Sequence, residues 1–392
     1  MSLFNYNPSL EFIFRHSTKL IFGIGAIREL TTELNTLGAR RALLITDTGI
    51  VRSGLAATVR AALKDHCVGV FSEVPANSSL TAVQQGVTAA RGMGADSVVL
   101  LGGGSVMDTG KCIATLLRTG GLDIRDHLSL NQLEGPVAPM IAVPTTAGTG
   151  SEVSYGAVVR DPERNTKMVF ADHFIAPNTA ILDPHMTEGM PPWLTAATGM
   201  DAMTHDIEAY ASLQGEPISD ALALHSLQII AQYLPACVDN GHDLTARGQM
   251  QLAACMAAIA FNNAILGLTH AMAHALGGRY GIHHGTANAL FLPHVMRFNL
   301  ETVPERYAIL AEALGVDTRG MSTLDAGRTA ADAVAALTRR LALPERLRDI
   351  SGVDIATLPS LAEAAMIDAC LITNPRLVTD PGEILSVYQQ AW

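Results

Sequence analysis

Between residues 42 and 149 short runs of β-branched and aliphatic residues alternate with stretches whose apolar positions recur every three or four residues. Ala42–Thr46 reads as a strand, followed by a helical pattern to about Lys64. Val68–Phe71 and then Thr81–Gly92 repeat the pair. Ser97–Leu101 is a third strand that runs directly into Gly102-Gly103-Gly104-Ser105 and a helix to about Leu117. Pro139–Val143 leads into a threonine-rich turn over residues 144–149. Strands alternating with helices through short turns predict a parallel sheet, with ligands at the carboxyl ends of its strands.

Beyond Asp183-Pro184 the period changes. Pro191-Pro192 introduces a long helix, and helical spacing holds over Trp193–Leu213, Asp220–Leu234, Arg247–Leu266, Pro304–Leu314 and Ala326–Leu341. The expected organisation is therefore an α/β nucleotide-binding domain over 1–184 and an all-helical domain over 185–392. The most apolar run, Leu252–Leu268, is interrupted by Asn262 and Asn263 and reads as a buried helix, not a membrane span.

Composition narrows the classes. With 48% apolar and 16% charged residues, 392 residues can fill two cores. A net charge of −11 argues against nucleic acid or an anionic membrane as partner. Cys67, Cys112, Cys237, Cys255 and Cys370 are scattered and odd in number, with no Cys-x-x-Cys, so neither a disulfide framework nor a thiolate zinc site is expected. A reducing cytoplasm suits them. The first residues lack a basic stretch followed by an apolar one, so no signal peptide is expected.

The chemistry lies in two places. Asp201 and His205 are four residues apart in a helical pattern, which puts them on one face. His270 and His274 repeat that spacing, and Gly277, Gly278 and Gly281 then interrupt the helix so that His284 can turn back toward the same cavity. One such pair alone is an ordinary surface or core feature; the combination is specific. A carboxylate with three imidazoles suits iron(II) or zinc and suits calcium poorly. His283 and His294 read as structural.

The second place is the glycine turn after the third strand. Gly102, Gly103 and Gly104 let backbone N–H groups approach a phosphate, and the following helix adds its positive end. Ser105 could cap that helix, with Asp108 completing a capping box. Met107 stands where a dinucleotide fingerprint has its third glycine, so a tight structural turn is the other reading. Asp47 could accept the adenosine ribose hydroxyls, which would favour NAD over NADP, or could simply cap a helix. Thr145, Thr146 and Thr149 are either cofactor contacts or ordinary turn residues.

Gly102–Lys111, Pro144–Glu152, Gly199–His205, Gly267–His294 and Thr373–Arg376 together resemble the iron-containing (group III) alcohol dehydrogenases over nearly the whole chain. The resemblance implies a Rossmann-like N-terminal domain and a helical, metal-binding C-terminal domain, an architecture like that of dehydroquinate synthase. It also implies a cleft holding NAD(P) and a divalent metal, and a homodimer or higher homo-oligomer. By motif, the metal ligands would be Asp201, His205, His270 and His284. His274 would sit near the nicotinamide and substrate, as a proton relay or as a residue lining the cleft. Asp47, Gly102–Ser105, Thr145, Thr146, Thr149 and Lys167 fall where the family contacts the cofactor. Phe261 and Cys370 align with positions near the substrate. Gly156 stands where some diol-specific relatives carry an amide.

The expected activity is interconversion of short primary alcohols or diols with aldehydes, using NAD and a divalent metal, iron(II) first and zinc(II) second. The complete ligand set speaks against a glycerol dehydrogenase or a maleylacetate reductase. A hydroxyacid–oxoacid transhydrogenase remains an alternative. A dehydroquinate synthase-like lyase would want Glu/His/His in place of Asp201 and its partners.

Overall fold

A computed structural model describes residues 10–127, 131–163 and 166–392. The chain divides into two compact units. One is α/β and comprises Ser17–Pro192 with Asp239–Cys255. The other is helical, with Trp193–Val238, Met256–Trp392 and the described residues before Ser17. The chain leaves the α/β unit at Pro192, within the Pro-Pro pair, and the excursion 239–255 belongs with the α/β unit although it is mostly helical.

In the α/β unit, β1 (Lys19–Phe22), β2 (Ala42–Ile45), β3 (Cys67–Phe71), β4 (Ser97–Gly102) and β5 (Met140–Pro144) are followed by β6 (Gly156–Asp161), β7 (Thr166–Ala171) and β8 (Thr179–Leu182). Six of them form a parallel sheet in the order β1-β8-β5-β4-β2-β3, and β6 and β7 pair as a separate antiparallel ribbon. The helices are α1 (Leu30–Thr36), α2 (Thr48–Arg52), α3 (Leu55–Leu63), α4 (Leu80–Gly92) and α5 (Gly104–Thr119). The four strands read from the sequence are β2 to β5. The single helix expected up to Lys64 is instead α2 and α3, broken where Gly54 takes a left-handed φ of 87°.

Strand side chains alternate between two cores, which is why these runs are apolar throughout. Leu43, Ile45, Val98, Leu100, Met140 and Ala142 pack in one cluster with Val83 and Val87 of α4 and Ile113 of α5. Ala42, Leu44, Val99, Leu101, Ile141 and Val143 pack in the other with Leu30, Leu34, Val59 and Leu63. Because β2 lies between β3 and β4, the strand order reverses between β2 and β4. That reversal is the switch point at which open α/β sheets bind ligands.

A buried cation ties α5 to the segment leading into the ribbon. Lys111 Nζ donates to Ser151 Oγ (2.9 Å), Ser154 Oγ (2.9 Å) and the Gly156 carbonyl (2.7 Å). Ser151 passes its proton on to Asp108 (2.9 Å), which also accepts from Val158 N–H (3.0 Å). Burial pushes the Lys111 ammonium down to about 8 against the pull of Asp108, and pushes Glu152 up to about 7.

The excursion 239–255 is held from the other side of the sequence. Arg247 donates to the carbonyls of Gly241 (2.9 Å) and Met190 (3.1 Å), and Gln251 Nε2 to that of Asp183 (3.2 Å). A Cβ at Gly248 would come within 3.1 Å of both Phe22 and Pro184, so the helix lies directly on them.

The remaining helices are α6 (Pro192–Ala211), α7 (Pro217–Asp239), α8 (Leu244–Ala264), α9 (Leu268–Tyr280), α10 (His284–Asn299), α11 (Pro304–Ala313), α12 (Thr323–Arg340), α13 (Leu358–Met366) and α14 (Pro381–Gln390). The apolar run 252–268 is thus the end of α8 and the start of α9, separated where Ile265 takes a φ of 63°. Leu268, Met272 and Leu276 of α9 share a core with Leu290 and Phe291 of α10, Leu361 of α13 and Tyr388 of α14. Tyr388 sets its ring edge-on to Phe291 at 5.2 Å and donates its hydroxyl to the Met272 carbonyl (2.9 Å). The two helices that flank the histidine-rich segment are therefore fixed by apolar packing.

Replacing Lys111 by Met keeps the apolar stem but strands Asp108 without its cation. The expected loss is on the order of 3 kcal/mol of unfolding free energy, read by denaturant titration; an unchanged midpoint would show the network to be dispensable.

Candidate active site

In the helical unit α6 is buried from Thr195 to Ala211 and presents Asp201 and His205 one turn apart. Helix α9 supplies His270 and His274. It runs on through Gly277 and Gly278 and stops only at Gly281, whose φ of 68° makes the C-terminal cap. The break is therefore later than the three-glycine pattern implies, because two helical glycines cost less than the packing they preserve. His284 is the first residue of α10. Its approach depends on Gly285: a Cβ there would fall 2.1 Å from the Ala197 carbonyl oxygen of α6 and 3.2 Å from Asp201 Cβ.

These elements bring the expected side chains together. Asp201 Oδ1 lies 3.5 Å from His284 Nε2 and 3.9 Å from the Nε2 atoms of both His205 and His270. One donor atom each from Asp201, His270 and His284 fall within 4.8 Å of one another. The His205 ring lies nearly parallel to His270 at 4.9 Å, with Phe261 against its side at 4.5 Å. The His274 ring stacks on His284 at 5.3 Å. Asp201, His205 and His270 are buried, while the His284 side chain keeps 37% exposure, so the group opens on the His284 side.

Hydrogen bonds settle the His270 tautomer. Its Nδ1 lies 2.6 Å from Glu208 Oε2, and this carboxylate also accepts from Gly267 N–H (3.0 Å) and Thr269 N–H (2.6 Å). The proton on Nδ1 leaves the Nε2 lone pair facing Asp201. Glu208 also places a negative charge at the N-terminus of α9. Burial opposes ionisation at Asp201, but the imidazoles of His205, His284 and His270 and the Asn288 amide bring its carboxyl down to about 2. Burial holds His284 well below the usual imidazole range. Against its burial, Glu208 and Asp201 raise the His270 imidazole above its ordinary value, so a cation binding there would displace a proton. A carboxylate with three imidazoles is a donor set that fits iron(II) or zinc.

Glu208 is absent from the sequence reading, although its place three residues after His205 on α6 was a usable signal. Asp368 is likewise missed. It lies 2.8 Å from His274 Nδ1 and caps the turn 369–373 by accepting Cys370 N–H (2.9 Å). The bond to His274 keeps the Asp368 carboxyl well below its ordinary range despite burial, and burial beside that charge pushes the Cys370 thiol up. His283 turns away and meets the edge of Trp193 (5.7 Å). His294 is pushed down to about 4 by burial and by the charge of Arg297.

In the α/β unit the carboxyl ends of β4 and β5 are adjacent. Gly102 is in register with Pro144, and its carbonyl accepts from Thr145 N–H (3.0 Å). A Cβ on Gly103 would sit 3.2 Å from Thr146 Cγ2, and one on Gly104 would sit 3.2 Å from Thr149 Cγ2. Glycine and threonine turns therefore line one another. Ser105 does not cap α5: the cap is Gly103, and Ser105 donates to the Ala76 carbonyl (2.6 Å). Asp108 is engaged by Ser151 and Val158, so the capping box does not form. The start of α5 has no side-chain cap, and the Gly103 carbonyl accepts from the Val106 and Met107 N–H groups.

Asp47 follows β2 on the other side of the switch point. Its Oδ1 caps α2, accepting from Gly49 (2.7 Å) and Ile50 (2.9 Å). The capping reading is thus realised through one oxygen, and the second carboxylate oxygen takes no part in it. Thr46, which the sequence did not single out, donates from Oγ1 to the Leu101 carbonyl (2.8 Å) and joins β2 to β4 beneath the turns. Lys167 is exposed on the ribbon, in register with Arg160. A Cβ at Gly156 would meet nothing within 4 Å.

A Rossmann-like sheet with a glycine turn at its switch point, together with a carboxylate and histidine centre on helices, defines a class of nucleotide-dependent oxidoreductase. Residues 17–184 match the family model described as iron-containing alcohol dehydrogenase, and residues 195–392 match that of the Fe-containing alcohol dehydrogenase family, C-terminal. The chain belongs to the iron-containing alcohol dehydrogenase family. It is 39% identical over 361 residues to the NAD-dependent methanol dehydrogenase of Bacillus methanolicus, covering 92% of this chain and 94% of that one. It is 40% identical over 375 residues to the 1,3-propanediol dehydrogenase of Citrobacter freundii, covering 95% and 96%. Among solved structures, a 1,3-propanediol oxidoreductase superposes with a TM-score of 0.95 at 38% identity, covering 98% of this chain and all of that one. The alcohol dehydrogenase of Oenococcus oeni gives 0.94 at 35%, covering 97% and 100%.

Glu208→Gln keeps the shape but removes the charge that holds the His270 Nδ1 proton. Zinc or iron(II) should bind about 10- to 100-fold more weakly, the usual effect of removing such a partner. A chelator-competition titration reads this directly, and an unchanged dissociation constant would show that Glu208 only caps α9.

Proposed function

We propose that the chain is an NAD-dependent dehydrogenase that interconverts short primary alcohols or diols with aldehydes at a divalent metal, iron(II) in preference to zinc. The observation that carries the reading is the meeting of Asp201, His205, His270 and His284 around one carboxylate oxygen. The substrate class is supported by the relatives, which are named for methanol, 1,3-propanediol and, in Escherichia coli, lactaldehyde.

Asp201, His205, His270 and His284 would hold the cation, which supplies Lewis-acid stabilisation of the alcohol oxygen while NAD accepts the hydride. Glu208 keeps His270 in the tautomer that offers Nε2. Asp368 keeps the His274 proton on Nδ1, so His274 Nε2 is the base that takes up the alcohol proton. Asp47 would accept the adenosine ribose hydroxyls with the oxygen its cap leaves over, and its charge would repel a 2′-phosphate. Gly102, Gly103, Gly104, Ser105, Thr145, Thr146, Thr149 and Lys167 are assigned to the rest of the dinucleotide. Open space at Gly156 supports a site that does not require an amide-recognised diol.

A cytoplasmic home and a homodimer or higher homo-oligomer complete the reading. Self-association is supported by the exposed apolar Leu20 and Phe22 on edge strand β1 and by Ile24 just after it.

The test is a panel of C2 to C6 alcohols, diols and hydroxyacids with iron(II)-reconstituted protein, NADH and NADPH being followed in parallel. Primary alcohols or diols should turn over with NAD, and His270→Ala and His284→Ala should each lose both bound metal and turnover. An active, metal-free variant would sink the reading. Asp47→Asn retains a capping side chain but removes the charge. It should narrow the preference for NAD over NADP by about tenfold, equivalent to about 1.4 kcal/mol; an unchanged ratio of kcat/KM values would remove Asp47 from cofactor selection.

A further inference from the structure

We propose that Asn288 is a positioning residue of the metal centre, whose carboxamide holds Asp201, His270 and His284 at binding distance from one another. The inference rests on the metal reading above. Asn288 lies on α10, four residues after His284 and on the same face, and it is fully buried. Its Nδ2 stands 2.7 Å from Asp201 Oδ1, 3.1 Å from His270 Nε2 and 3.2 Å from His284 Nε2. The nitrogen must face this way. An amide oxygen at the same point would meet a carboxylate oxygen with no proton between them.

The other end of the amide sharpens the inference. Asn288 Oδ1 is buried and accepts no hydrogen bond. Such a carbonyl is costly to bury, and a leucine of similar shape would avoid that cost. The donor end is therefore what this side chain contributes. Its two N–H hydrogens serve three acceptors: Asp201 takes one at short distance, and the two imidazoles share the other.

The acceptors differ in what metal binding does to them. Each imidazole Nε2 has one lone pair, which it must give up to a cation. A carboxylate oxygen has two, so Asp201 can ligate and keep its Asn288 bond. On loading, the amide would give up its imidazole bonds and keep its bond to Asp201. It spares the lone pairs of α6, α9 and α10 from facing one another unmediated, and the site needs little rearrangement on loading.

The test uses full-length chain stripped with a chelator, zinc(II) as a redox-silent probe, and wild type and His284→Ala as references. Asn288→Leu should bind zinc about 10- to 100-fold more weakly by chelator competition. Its zinc-loaded Tm should fall by more than its metal-free Tm, because weaker binding adds less stabilisation. Asn288→Asp puts a second carboxylate beside Asp201, so it should lower the metal-free Tm and bind zinc at least as tightly as wild type. If Asn288→Leu binds zinc within twofold of wild type, or its two Tm values fall equally, Asn288 is a packing residue and the proposal is overturned. If Asn288→Leu does not fold, the Asn288→Asp result decides. Zinc binding that is equally weak in wild type and His284→Ala would overturn the metal reading itself.

Discussion

The helical unit is organised around an electrostatic conflict. Asp201 and three imidazoles direct lone pairs at one small volume of a helix bundle, buried except on the His284 side. Lone pairs that converge repel, so the surroundings must hold them together until a positive partner arrives. Apolar packing does most of that. Leu268, Met272 and Leu276 lock α9 against α10, and Gly285 lets α10 rest on the backbone of α6. Polar partners do the remainder: Glu208 turns His270, and Asn288 donates N–H bonds to the Nε2 atoms of His270 and His284. Destabilisation local to the centre is the counterpart of its affinity for a cation.

The α/β unit handles a buried charge the opposite way. Lys111 sits at full burial with three oxygen acceptors and a carboxylate beyond them, so its positive charge is met completely within the protein. Nothing in that network calls for a ligand. It joins the helix that starts at the glycine turn to the segment after the threonine turn, and so steadies both turns. One unit keeps a charge deficit for a ligand to fill, and the other neutralises its own.

What the residues revealed followed from how local each signal is. β2, β4 and β5 are buried on both faces, so each reads as an apolar run, while β3 is a half-buried edge strand legible from its β-branched and aromatic residues. β1 escaped notice because it is an edge strand with three of four side chains exposed, and β8 because four residues between turns carry no period. The convergence of Asp201 with the histidines was legible because two of the spacings are one helical turn and because histidines are few. Glu208, Asp368 and Asn288 were not, since their partners lie on other elements and an acid or amide in a helix is unremarkable by itself. Ser105 and Asp108 were misread for the same reason. The local capping pattern was present, but the carbonyl of Ala76 and the groups of Ser151 and Val158 won their hydrogen bonds.

The excursion 239–255 bears on how such a protein can be taken apart. The chain leaves the α/β unit near Pro192, returns to it at Asp239 and leaves again within α8. On the return, Arg247 and Gln251 close onto the carbonyls of Met190 and Asp183, and Gly248 seats the helix on Phe22 and Pro184. The apparent seam at the Pro-Pro pair is therefore not a modular joint. A nucleotide unit exchanged or excised there would leave its own clasp behind in the other half, so recombination between relatives must carry both segments together.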